Sequence, residues 1–96
     1  MLRGEKMISA VQAYGIVSDF LDKRGMVAIA CRELNDSFAF LTNYKNVEDV
    51  CPGMPIYQVM KIDGSIEWFD QSFEKDPYEK IDMLIAAPEI DIEKLR

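Results

Sequence analysis

Apolar side chains recur at three- and four-residue steps near the start of the chain. They are Ala10, Ala13, Tyr14, Val17, Phe20 and Leu21. This spacing predicts an amphipathic helix from about residue 10 to residue 24. Ser9 and Gln12 form a capping-box pattern at its start, and Gly25 suits a left-handed stop at its end. Lys23 and Arg24 are favourably placed at the negative end of the helix dipole.

Two apolar runs follow the helix and predict a β-hairpin. Met26 to Leu34 is apolar enough for a buried strand, and Phe38 to Thr42 makes a second one. The turn residues Asn35, Asp36 and Ser37 separate them. Because this turn is far too short for a parallel crossover, the two strands should pair antiparallel.

A second hairpin is predicted around Asp63-Gly64, the strongest turn signal in the chain. It would join strands at residues 56–62 and 65–70, with two possible registers. A two-residue turn pairs Ile62 with Ser65, whereas a three-residue turn with a glycine bulge pairs Lys61 with Ser65. We favour the second register because Lys61 and Glu67 then share the wetter face of the sheet.

The favoured register divides the side chains of this hairpin between two faces. One face carries Ile56, Gln58, Met60, Ile66 and Trp68. The other carries Tyr57, Val59 and Phe69, which is more apolar surface than a solvated face needs. Either the C-terminal helix or another protein should therefore cover the second face.

The C-terminal third begins with helix signals. Asp76 suits an N-cap, Pro77 suits the first helical position, and Pro88 would end the helix. Residues 81–87 could equally form a strand, because Met83 to Ala87 is a continuous apolar run. The tail from residue 89 to residue 96 suits a short helix or an extended edge.

These elements predict an α+β fold. A chain of 96 residues has room for one domain, here residues 1–96. The arrangement that uses every apolar face packs the N-terminal helix on a four-stranded antiparallel sheet and adds a short C-terminal helix.

The net charge of −6 is concentrated late in the chain. Residues 1–62 hold seven acids and seven bases, whereas residues 63–96 hold ten acids and four bases. A negative field repels phosphate backbones and anionic lipid, so we expect neither nucleic-acid nor membrane binding. A basic protein partner fits better, although acids that only keep the protein soluble would give the same composition.

The chain offers little for catalysis or for a cofactor. It has no histidine, which excludes His-based acid/base chemistry and His-containing zinc sites. Cys31 lies in an apolar run and should be a buried hydrophobe, while Cys51 lacks a histidine to activate it. The segment from Asp63 to Asp70 has Trp68 where a calcium loop needs glycine. We therefore expect no cofactor, no metal and no enzyme, and a cytoplasmic protein with reduced thiols.

The best candidate site is an aromatic anchor surrounded by acids. Trp68 should fill the core, so Phe69 on the opposite face is the better anchor for a partner. The predicted partner-binding residues are Glu67, Phe69, Asp70, Glu74, Asp76 and Glu79.

The order of the pieces between Met7 and Asp70 resembles a known family. The matching segments are Met7-Ile8-Ser9, Ala13-Tyr14, Phe20-Leu21, Phe38-Ala39-Phe40-Leu41, Pro52-Gly53-Met54-Pro55 and Val59 to Ile66. They are similar to the YrhB-type domain, also called the immunity protein 35 family. The resemblance implies a bacterial cytoplasmic protein that protects its host by binding a secreted toxin, with no catalytic residues and no cofactor.

Three hypotheses follow from these observations. The first is a stoichiometric binding protein, an immunity protein that neutralises a basic toxin through an acidic surface. The second is a self-associating module in which the spare sheet face makes a homodimer. The third is a small enzyme that uses Cys51 or the carboxylates.

Overall fold

The computed structural model describes residues 7–49, 54–69, 82 and 84–95. These residues form an N-terminal helix, a five-stranded sheet and a 3-10 helix. The elements are α1 (Ala10–Asp22), β1 (Met26–Glu33), β2 (Ser37–Tyr44), β3 (Ile56–Met60), β4 (Ile66–Trp68), β5 (Glu89–Ile90) and the 3-10 helix (Ile92–Lys94). The sheet is antiparallel, with the order β4-β3-β2-β1-β5.

The α+β class is confirmed, and the expected count of four strands is wrong. Glu89 and Ile90 add a fifth strand by pairing with Arg32 and Cys31 of β1. The sequence pattern left this segment open as an extended edge or a helix, because two residues carry no periodicity of their own. No helix among the described residues is long and apolar enough to cross a membrane.

Both ends of α1 follow the local sequence signals. Ser9 N–H donates to Gln12 Oε1 at 2.8 Å, and Gln12 N–H donates to Ser9 Oγ at 3.2 Å, so the capping box is formed. Gly25 has a φ of 71°, the left-handed conformation expected of a stop. The helix ends at Asp22, slightly before the predicted end, and buries Ala13, Val17 and Leu21.

The β3–β4 hairpin has neither of the two predicted registers. Tyr57 pairs with Trp68, and Met60 N–H donates to the Ser65 carbonyl at 2.8 Å. The connection is therefore a four-residue loop, from Lys61 to Gly64. This differs from the favoured register by one residue, and such a slip turns every side chain of one strand to the opposite face relative to the other strand.

Tertiary contacts explain why the loop is longer than a tight turn. Lys61 N–H donates to the Asp36 carbonyl at 2.9 Å, and Ile8 N–H donates to the Lys61 carbonyl at 2.9 Å. Gly64 has a φ of 74°, and a Cβ built on it would lie 3.0 Å from Cδ1 of Ile16. The loop thus packs against the β1–β2 turn and against α1. The local sequence of the hairpin does not predict these contacts.

The register gives the two faces of the sheet different partners. Residues opposite each other across antiparallel strands share a face, so Tyr57 and Val59 join Phe40 beneath α1. This corrects the expectation that Tyr57 and Val59 lie with Phe69.

The second face is covered by the C-terminal segment, which was one of the two predicted covers. Residues 82 and 84–86 are helical, which favours helix over strand for that run. Leu84 packs there with Ala39 and Phe69. Nη1 of Arg32 donates to the carbonyls of Ile85 at 3.1 Å and Ala87 at 2.9 Å, so it fastens this segment to the sheet.

Candidate functional site

A pocket of about 200 Å³ opens on the face of the sheet opposite α1. It lies where the β1–β2 turn meets β3 and the end of β4. Its lining residues are Leu34, Asn35, Asp36, Ser37, Gln58, Met60 and Phe69. Three of these side chains are apolar, and the others are polar or acidic.

Hydrogen bonds hold the polar wall of the pocket in place. Ser37 is 3% exposed, and its hydroxyl donates to Oε1 of Gln58 at 2.9 Å. The Asp36 carbonyl accepts the Lys61 N–H described above, which ties the turn to the neighbouring loop. The pocket is therefore built from ordered strand and turn residues.

The charged side chains named at and beside the pocket are acidic. Asp36 is exposed and lines the pocket, and Glu67 is exposed directly opposite Gln58 on the same face. None of the described residues that line the pocket is basic.

The nearest cations of the described chain are engaged elsewhere. Nζ of Lys61 lies 2.8 Å from Oε2 of Glu33 and 5.0 Å from the centre of the Phe38 ring, on the α1 side of the sheet. The guanidinium of Arg32 donates to the backbone carbonyls described above. Lys61 is thus paired with an acid on the α1 side, whereas Arg32, opposite Ala39, keeps its charge on the pocket face while it holds the C-terminal segment.

Two of the six predicted partner-binding residues belong to this face, in different roles. Glu67 stands exposed beside the pocket, as an acid in a binding surface would. Phe69 is 5% exposed and forms an apolar wall of the pocket, so it does not project as an anchor. The remaining four, Asp70, Glu74, Asp76 and Glu79, lie outside the described residues.

Trp68, which the sequence pattern placed in the core, is the exposed aromatic side chain of the β3–β4 hairpin. It is 60% exposed on the α1 side of β4. Its neighbour Tyr57 is half-buried and packs edge-on against Phe20, with the ring centres 5.0 Å apart. The one-residue difference in register, which brings Tyr57 beside Trp68, changes the surroundings of both side chains.

No sequence pattern predicted the pocket itself. Asp36 belonged to a turn, and Gln58 and Met60 belonged to the face assigned to α1. Only the observed register brings these three residues together with Phe69.

Asp63 has a structural role in the β3–β4 loop. Oδ1 of Asp63 accepts the Ser65 N–H at 2.9 Å, and this hydrogen bond lowers the pKa of the Asp63 carboxyl. Across the part of the chain that the structure describes, no cluster of three Cys, Asp or Glu side chains is arranged to hold a metal ion.

Cys31 is a buried thiol, as the sequence predicted. It is 0% exposed, and desolvation, with a smaller contribution from the Glu33 carboxylate, raises its pKa to about 12. Because the thiolate is the reactive form, Cys31 is protected from labelling in the folded protein. Cys51 lies outside the described residues.

The raised pKa of Cys31 predicts a specific loss of stability at high pH. The folded pKa lies above the ordinary value of 9.0. The stabilising contribution of the neutral thiol is therefore complete below pH 9. As the pH rises from 9 toward 12, the free energy of unfolding falls by about 1.4 kcal/mol per pH unit. Urea unfolding at pH 7, 9 and 11 of the wild type and of Cys31→Ala measures this difference. Equal losses of stability in both proteins between pH 9 and pH 11 would contradict the prediction.

Comparisons with protein-family models, curated proteins and solved structures found no match to this chain.

Proposed function

We propose that this chain is a non-catalytic protein-binding domain whose acidic pocket takes a lysine or arginine side chain of a basic partner. The observation that carries the proposal is the combination in one pocket of apolar walls with Asp36, beside an exposed Glu67. Lys61 is paired with Glu33 on the other side of the sheet, and no basic residue is among those that line the pocket.

The shape and chemistry of the pocket favour a single long basic side chain. Lysine and arginine bury an apolar stem and keep a charged head in a polar surrounding. Leu34, Met60 and Phe69 can pack against such a stem, and the carboxylate of Asp36 can attract the head. The volume of about 200 Å³ is smaller than typical small-molecule sites of about 300 to 1,000 Å³.

The charge distribution supports a basic macromolecule as the source of that side chain. From Asp63 onward, the described residues include six acids and one base, Lys94. Such a field raises the rate of encounter with a cationic protein and repels an anionic one.

The resemblance to the YrhB-type domain suggests what the partner is. We propose a basic protein toxin, bound stoichiometrically by a cytoplasmic immunity protein. In this proposal the domain acts by occupying a surface of the toxin and transforms no substrate.

A blocked Gly-Arg-Gly peptide tests the pocket directly, since it is too short to add a strand. In an NMR titration we expect chemical-shift changes only at residues around Ser37, Gln58 and Met60. Affinity should weaken about tenfold in Asp36→Lys, because one attraction becomes a repulsion. Glu48→Lys is the matched control, since Glu48 is an exposed acid in the β2–β3 connection that does not line the pocket.

A blocked Gly-norleucine-Gly peptide separates charge recognition from apolar contact. It keeps the stem and lacks the cation, so it should bind at least about tenfold more weakly. Equal binding of both peptides, or shifts that fall outside the pocket, would overturn the proposed function.

A further inference from the structure

The outer edge of β4 directs backbone groups away from the sheet. Met60 N–H donates to Ser65 and Phe69 N–H donates to Ile56, each at 2.8 Å. Hydrogen-bonded positions alternate along an antiparallel pair. The backbone N–H and C=O groups of Glu67 therefore point toward β3, whereas those of Ile66 and Trp68 point outward. Among the described residues, no strand lies beyond β4.

This edge carries fewer protective features than the opposite edge of the sheet. Edge strands are commonly blocked by short length, charged side chains, bulges, proline or a covering segment. β4 has the first two of these features, its three residues and the exposed Glu67. At the opposite edge, β1 has an irregularity between Ala28 and Ala30, and β5 covers Cys31 and Arg32. The paired residues of β4 keep a regular register and include neither proline nor lysine.

The side chains of β4 present two different chemistries to an added strand. Ile66 and Trp68 lie on the α1 side, where Trp68 is 60% exposed. Glu67 lies between them on the face of the acidic pocket. A strand beside β4 would therefore meet apolar, acidic and apolar positions in turn.

We propose that an extended segment of the basic partner adds to β4 as a sixth strand of the sheet. A lysine or arginine stands opposite Glu67, and the residues on either side of it are apolar or aromatic and pack beside Ile66 and Trp68. Backbone hydrogen bonds hold the segment, and the alternating side chains select it. The inference rests on the proposed function, because it assigns the geometry by which the same acidic face meets its partner.

Charge opposes a second copy of this chain as the occupant. A twofold pairing that joins Ile66 to Trp68 of the other copy uses all the outward backbone groups. It also sets the two Glu67 side chains directly opposite each other, at a Cα separation of about 4.5 Å. Like charges at such a position destabilise a strand pair, whereas a basic residue there stabilises it.

A blocked peptide, Thr-Lys-Val-Lys-Tyr-Lys-Thr, serves as the probe. At saturating peptide, we expect amide hydrogen exchange at Ile66 and Trp68 to slow at least about tenfold. The Glu67 amide faces β3, so its exchange rate should be unchanged. Trp68 is the single tryptophan of the chain, so its fluorescence emission should also shift to the blue as the strand covers it.

Two controls separate strand addition from simple charge attraction. A peptide N-methylated at Val and Tyr keeps every charge but loses the donors that would face β4, and it should give no protection. Glu67→Lys should lower the affinity for the lysine peptide about tenfold. The same variant should bind a peptide that has glutamate in place of lysine. Glu48→Lys should leave the preference for the lysine peptide in place.

The outcomes distinguish this inference from the proposed function. Binding of Gly-Arg-Gly at the pocket, without protection of Ile66 and Trp68 by the lysine peptide, overturns strand addition and leaves the proposed function standing. Failure of both peptides overturns the proposed function and the inference with it. Protection that rises with protein concentration in the absence of peptide would assign the edge to a second copy and overturn the basic occupant.

Discussion

Phe69→Ala is expected to lower the free energy of unfolding by about 3 to 4 kcal/mol, whereas Trp68→Ala should lower it by less than about 1 kcal/mol. The two aromatic residues are adjacent in the chain but differ in environment. Phe69 is 5% exposed and packs with Ala39 and Leu84, while Trp68 is 60% exposed. Truncating Phe69 leaves a cavity beneath the C-terminal segment, and truncating Trp68 removes surface contacts.

Denaturant unfolding followed by circular dichroism measures the free energy of unfolding of both variants. Circular dichroism is used because Trp68→Ala removes the tryptophan fluorescence. The binding readout should show a different pattern from the stability readout. Trp68→Ala is expected to keep its fold and to lose at least about fivefold in affinity for the lysine peptide. If Phe69→Ala is as stable as the wild type but fails to bind, Phe69 acts as an exposed partner anchor and the prediction is wrong.

Phe40→Ala is expected to cost about 3 to 5 kcal/mol, the largest effect of any single substitution proposed for this chain. Phe40 is 0% exposed and lies between Cys31 of β1 and Tyr57 of β3, beneath α1. Its ring also lies 6.4 Å from the ring of Tyr14 on the helix. Phe40 thus joins three strands and the helix at one point.

The loss is large against the total stability of a small domain. At about 0.05 to 0.15 kcal/mol per residue, a chain of this size has about 5 to 14 kcal/mol. We expect the midpoint of thermal unfolding to fall by at least about 12 °C. Tyr44→Ala is the matched control, because Tyr44 is on the same strand and is 52% exposed. A similar fall in both variants would show that the α1 side of β2 is not the centre of the core.

Local signals were enough to predict the helix and both hairpins. The capping box of Ser9 and Gln12 and the left-handed Gly25 act within a few residues, so neighbouring side chains decide them. The Asn35-Asp36 turn and the Asp63-Gly64 loop likewise place chain reversals where the structure has them. The burial of Cys31 also follows from its own apolar run.

The candidate site could be predicted only in part. Of the predicted acids, Glu67 is exposed beside the pocket, and the other four lie outside the described residues. The anchor was misassigned because Leu84 of the C-terminal segment buries Phe69 on the face where it was expected. Tyr57 lies on the other face than expected because the observed register differs by one residue. That register depends on the contacts of Lys61 with Asp36 and of Gly64 with Ile16, which join distant parts of the chain.

The amino-acid sequence by itself thus determined the helix, the hairpin positions, the α+β class and the late excess of acids. Only the tertiary structure decided that Phe69 is buried and Trp68 exposed, that β5 completes the sheet, and that Asp36 and Met60 share a pocket. The physical reason is the range of the interactions. Capping and turn formation act within a few residues, whereas strand register and sheet edges are selected by contacts between segments far apart in the chain.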